Sequence, residues 1–147
     1  YQFINMKKKI YIASDHAGYD LKKEILVRSN EDYIDLGTNN SDSVHYPEYA
    51  FKLVEKMKSH KNALGILICG SGIGMAIAAN RDKYIRAGLA FNPEIAKLMR
   101  MHNDANIMVL PGRFIDIHEA LKCVDNFIET NFEGGRHQKR IDKLNIK

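Results

Sequence analysis

Apolar residues along this chain fall into short blocks of two alternating kinds. Ile10 to Ala13, Tyr33 to Leu36, Leu64 to Ile68, Ile85 to Leu89 and Asn106 to Leu110 are compact runs that read as strands. The run Leu64 to Ile68 is apolar without alternation, the mark of a strand buried on both faces of a parallel sheet. Between the runs the rhythm changes to helical spacing. Leu21, Ile25 and Leu26 mark a first helix, and Pro47 opens a second through about Met57, with proline in its favoured first turn. Met75 to Ala79, Pro93 to Met101 and Ile115 to Ile128 supply three more, the last with a clear apolar stripe. Strand–helix alternation repeated five times predicts an α/β protein with a doubly wound parallel sheet and helices on both faces.

Bulk properties narrow this picture without changing it. A length of 147 residues suits one domain with a proper core, taken here as residues 6–147. Met6-Lys-Lys-Lys resembles a natural initiation site, so residues 1–5 are expected to be a remnant of cloning or processing. With 45% hydrophobic and 27% charged residues, no apolar run long enough for a membrane and no signal peptide at the start, a cytoplasmic globule is expected. Cys69 and Cys123 lack CxxC spacing, which argues against a disulfide scaffold and a zinc site. The net charge of +4 suits an anionic partner but does not demand nucleic acid.

Candidate chemistry concentrates in LGILICGSGIGMAIAAN, Leu64 to Asn80. Cys69 ends a predicted parallel strand, and Gly70, Ser71, Gly72, Ile73 and Gly74 form a turn into a helix. A thiol there faces a helix amino end, where α/β sheets collect ligands and where backbone N–H groups favour a thiolate, phosphate or enediolate oxygen. The bland alternative is a buried Cys69 beside a tight turn. The glycines run G-x-G-x-G, not G-x-G-x-x-G, and GxxxxGK[ST] is absent, which weighs against nucleotide binding.

Other polar clusters follow strands or close helices. Asp15 and His16 either line a site or cap the first helix and lie exposed. His102, Asn103 and Asp104 end the fourth helix, where an imidazolium is also favourably placed for electrostatic reasons alone. Arg113 follows the fifth strand. In Glu133-Gly-Gly-Arg-His-Gln-Lys-Arg140, a helical segment would place Arg136 and Arg140 on one face to grip a dianion, whereas a solvated basic tail is the plain reading. His45, His60 and His118 read as surface or loop residues, Cys123 as core, and no histidine spacing resembles a metal site.

Four motifs, SDHAG at Ser14 to Gly18, ICGSGIGMAIAAN at Ile68 to Asn80, HNDAN at His102 to Asn106 and FEGGRHQKR at Phe132 to Arg140, resemble the ribose-5-phosphate isomerase type B family, which includes galactose-6-phosphate isomerase subunits. The resemblance runs in order over Met6 to Asp142. It implies a Rossmann-like three-layer α/β/α sandwich with a five-stranded parallel sheet. It also implies a homodimer or dimer of dimers with shared active sites, a small sugar phosphate as substrate, and isomerisation without metal or cofactor. On the matching motifs, Cys69 would be the base that moves the carbon-bound proton and His102 would assist ring opening. Contacts would fall on Asp15, His16, Gly70, Ser71, Gly72, Ile73, Gly74, Asn103, Arg113, Arg136 and Arg140. Ser71 stands where threonine is common, and His45 stands where many members carry aspartate before Tyr-Pro.

Elementary chemistry agrees. An aldose–ketose isomerase needs a base poised near neutral pH, an oxyanion holder and a remote phosphate anchor, which Cys69, the Ser71 turn and the arginines can supply. A thiol-dependent phosphatase would want an arginine inside Gly70 to Gly74, and a nucleic-acid module would want aromatics among the basic tail residues. Neither is present.

Overall fold

The computed structural model describes residues 8–145, so the expected remnant at residues 1–5 lies outside the described residues. Five strands, β1 (Ile10–Ser14), β2 (Tyr33–Asp35), β3 (Leu64–Cys69), β4 (Ala87–Leu89) and β5 (Ile107–Pro111), form one parallel sheet in the order β2-β1-β3-β5-β4. The helices are α1 (Tyr19–Arg28), α2 (Tyr46–Lys58), α3 (Ile73–Ala79), α4 (Pro93–Asn103), α5 (Ile117–Glu129) and α6 (Arg136–Asp142). The layers arise from strand alternation. Ile66 and Ile68 of β3 pack with α1, α4 and α5 on one face, while Leu67 and Cys69 pack with α2 and α3 on the other. No helix among the described residues is long and apolar enough to cross a membrane.

Local polar groups set several element boundaries. The α5 helix starts at Ile117, two residues after Ile115, because the Asp116 carboxylate accepts from the Glu119 N–H at 2.9 Å and caps it. Asn92 does the same for α4, accepting from Ile95 N–H. The β4 strand is shorter than its apolar run, because Ile85 N–H donates to Asp82 O and Arg86 N–H to Asn106 Oδ1, away from the ladder. The α3 helix begins at Ile73, ahead of Met75. The basic tail folds as α6.

Strand order positions the site. The chain leaves β1 for β2 on one side and returns past β1 to β3 on the other, so a crevice opens between the carboxyl ends of β1 and β3. Ser14 is paired with Ile68 there, which brings Asp15 beside Cys69. One buried cation braces this end. Lys22 of α1 is 1% exposed and donates to Asp35 Oδ1 at 2.6 Å and to Thr38 O at 2.7 Å, tying α1 to the connection after β2.

Candidate active site

Cys69 ends β3 at the crevice and is 5% exposed. Its carbonyl accepts from Gly112 N–H at 2.8 Å, and Gly70 O accepts from Arg113 N–H at 3.0 Å, so the segments leaving β3 and β5 stay paired beyond the sheet. A Cβ on Gly70 would lie 3.4 Å from Arg113 Nη1, which places the guanidinium against the turn. Gly72 has φ +79°, and a Cβ there would meet Leu89 Cδ1 at 2.4 Å, so both backbone and space require glycine at this position. Ser71 Oγ accepts from Ile73 N–H at 3.2 Å. The hydroxyl therefore covers one of the helix-start donors and keeps its own O–H to donate.

Asp15 and His16 face the same crevice by their place after β1. Asp15 Oδ1 accepts from Gly18 N–H at 3.0 Å, so the structural role considered for this carboxylate is realised at the entry to α1. His16 is half-buried, and its Nδ1 accepts from Val44 N–H at 3.2 Å. That bond comes from the polar loop before α2 and was not legible in the sequence. Cys123 is fully buried in α5, and burial pushes its thiol up to about 12, with Glu119 adding to the shift. It is core, as expected.

The remaining expected site residues lie elsewhere. His102 and Asn103 end α4, just before β5 begins at Ile107, and so sit at the amino end of the sheet. Cys69 is level with Pro111 at the other end of β5. Four residues of strand separate these levels, roughly 13 Å. The tail stays with His102: Glu133 N–H donates to Met101 O at 3.1 Å, and the His137 ring stacks on His102 with centroids 4.5 Å apart and planes 18° apart. Arg136 and Arg140 flank His137 on α6 and are exposed. Burial, then the charge of Arg136, holds His137 below its ordinary value of 6.5. Beside this cluster a cavity of about 450 Å³, lined by Asn103, Arg86, Met99, Ile141 and Leu144 among others, opens at the same end.

The expected site residues therefore fall into two groups at opposite ends of the sheet. The carboxyl-end group comprises Asp15, His16, Cys69, the Gly70–Gly74 turn and Arg113. The amino-end group comprises His102, Asn103, Arg136 and Arg140, and Glu133 and His137 of the same tail pack beside His102. Glu133 and His137 stand four residues apart in the chain, but Gly134 and Gly135 between them have positive φ and α6 begins only at Arg136, so their link to His102 is made by packing of α6 on α4.

Together these features define an open parallel α/β protein with a cysteine at the switch point and an imidazole–guanidinium cluster at the far end. The pattern of the Ribose/Galactose Isomerase family matches residues 10–144, and the chain belongs to that family. A probable ribose-5-phosphate isomerase B of Mycoplasma pneumoniae is 44% identical over 145 residues, covering 96% of this chain and 95% of the relative. The crystal structure of a ribose 5-phosphate isomerase from Thermotoga maritima superposes with a TM-score of 0.90 at 48% identity, covering 95% of this chain and 98% of that one. The ribose-5-phosphate isomerase B of Mycoplasma genitalium, solved with bound ribulose-5-phosphate, gives 0.88 at 45% identity, with 95% of each chain covered.

Proposed function

We propose that this protein interconverts ribose 5-phosphate and ribulose 5-phosphate by proton transfer through an enediolate, with the Cys69 thiolate as base. The observation that carries this reading is Cys69 at the end of β3, followed by a glycine turn against which Arg113 lies, in a chain of this isomerase family. After ring opening assisted by His102, Cys69 takes the C2 proton and the electron pair moves onto the carbonyl oxygen at C1. The Ser71 O–H donates to the oxyanion that forms; the proton of the C2 hydroxyl passes to O1, and as the C2 carbonyl forms the thiol returns its proton to C1. Arg136 and Arg140 hold the phosphate away from the reacting carbons, and Arg113, His16, Asp15 and Asn103 complete the contacts. No step requires a metal ion or cofactor.

The separation of the two groups supports a homodimer in which the Cys69 end of one chain meets the His102–Arg136 end of the other, giving two equivalent pockets. Ile73 and Ile77, 56% and 55% exposed and one turn apart on α3 beside the Cys69 turn, are apolar surface such a contact would cover. We infer a cytoplasmic enzyme of the pentose phosphate pathway.

The test is a coupled assay on ribose, allose and galactose phosphates with exhaustive chelation. Ribose 5-phosphate should turn over undiminished. Cys69→Ala should abolish C2 proton exchange with binding largely kept, whereas Cys123→Ala should stay active. Near-normal turnover by Cys69→Ala, or a rate lost to chelator and restored by a divalent ion, would overturn the mechanism. Preference for a hexose phosphate would reassign the substrate.

A further inference from the structure

Where α6 packs on the end of α4, one nitrogen each from His102 and His137 and one oxygen from Glu133 lie within 4.8 Å of one another. His137 is 6% exposed, and its buried Nε2 has no hydrogen-bond partner. Glu133 Oε2 lies 3.9 Å from that nitrogen, too far for a hydrogen bond. A buried imidazole nitrogen without a partner is costly unless something binds it.

We propose that His102, Glu133 and His137 form a three-ligand site for a divalent transition metal, Zn²⁺ foremost, which reversibly inhibits the enzyme. Two imidazoles and one carboxylate with an open fourth position are a ligand set that zinc uses. Tetrahedral bonds of about 2.1 Å bring donor atoms to roughly 3.4 Å, so the three must close by up to about 1.4 Å. Glu133 is exposed and His102 only half-buried, so both can swing toward the anchored His137. Glu133 has its backbone tied to Met101, which keeps the carboxylate at the mouth of the pair. Arg136 and Arg140 oppose a dication nearby, and this makes the site one for reversible occupancy and not for a resident ion. The inhibition, though not the binding, rests on the isomerase reading: a metal on His102 removes the ring-opening group from the reaction.

The test uses the metal-stripped full-length protein titrated with Co²⁺ and then Zn²⁺, with the visible ligand-field spectrum read without substrate and isomerisation assayed in parallel. One Co²⁺ per chain should give an intense low-symmetry spectrum that Zn²⁺ erases, and Zn²⁺ should inhibit in a manner reversed by chelator. Glu133→Gln should weaken both effects, the inhibition read against its own metal-free rate, by at least about tenfold. His137→Asn should abolish the spectrum. A spectrum that is absent, that persists unchanged in Glu133→Gln, or that shows a thiolate charge-transfer band lost in Cys69→Ala would overturn the site. If the spectrum behaves as expected but no isomerisation is found with any sugar phosphate, the isomerase reading fails and the metal site stands.

Discussion

The backbone N–H of Val44 donates to His16 Nδ1 at 3.2 Å, across the mouth of the β1/β3 crevice. An imidazole nitrogen that accepts carries no proton, so the neutral ring holds its hydrogen on Nε2 and presents a donor there. On the proposed function, His16 would therefore donate to substrate oxygen and would not act as a base.

Glutamine can place an amide donor near the Nε2 position, whereas asparagine reaches only the Nδ1 position. His16→Gln should retain most of the affinity for ribose 5-phosphate, and His16→Asn should raise KM about tenfold or more, the cost of one hydrogen bond to a charged group. ¹⁵N chemical shifts of the His16 ring should report the Nε2–H tautomer in the parent protein. An Nδ1–H tautomer would contradict the Val44 contact.

Separation of the two groups makes complementation the most direct check of assembly. Cys69→Ala and Arg136→Ala should each be inactive, and mixing them under conditions that exchange subunits should restore activity. In an equal random mixture about half the dimers are mixed, each with one intact pocket, so about a quarter of the parent rate should return. Exchange verified by mass, without recovery, would mean that both residues serve one pocket from one chain.

The Lys22–Asp35 pair should be asymmetric in stability. Asp35 is 34% exposed and also accepts from Gly37 N–H at 2.9 Å, so it stays solvated if Lys22 is lost. Lys22, at 1%, would keep a single hydrogen bond, to Thr38 O, with the Tyr19 ring 5.7 Å from its ammonium. Asp35→Ala should therefore cost about 3 kcal/mol and Lys22→Met, which refills the lysine stem's volume, about 1 kcal/mol, measured by urea denaturation. Equal losses would show that the charge on Lys22 is not what Asp35 stabilises.

His137 links stability to pH with a definite sign. Its ring is held below 6.5 in the native state by burial and by Arg136, so on acidification the unfolded chain binds the proton first. Stability is thus full above the unfolded value, falls as the pH drops through it, and levels off once the native ring is also protonated. Urea midpoints between pH 7.5 and 5 should fall less in His137→Asn than in the parent. Parallel curves for the two proteins would assign the acid loss to other groups.

Burial periodicity is a local property, and so the strands, the five long-patterned helices and the turn after Cys69 are legible in the chain itself. Caps are local as well: Asn92 and Asp116 stand where the α4 and α5 helices start. The shortened β4 is instructive, because Ile85 is apolar and buried but gives its N–H to Asp82, and apolar character alone does not report where a backbone bond goes. Cys69, Asp15, His16 and Arg113 could be assigned to one crevice because every parallel strand ends on the same side. What the chain alone could not reveal depends on pairings between distant segments. The insertion of β5 between β3 and β4, the burial of Lys22, the Val44 bond to His16 and the stacking of His137 on His102 each join segments separated by many residues. The most consequential is the separation of His102 from Cys69. Because α4 runs back down the sheet before β5 rises, His102 ends a strand's length from Cys69, a distance set by the topology and not by any motif.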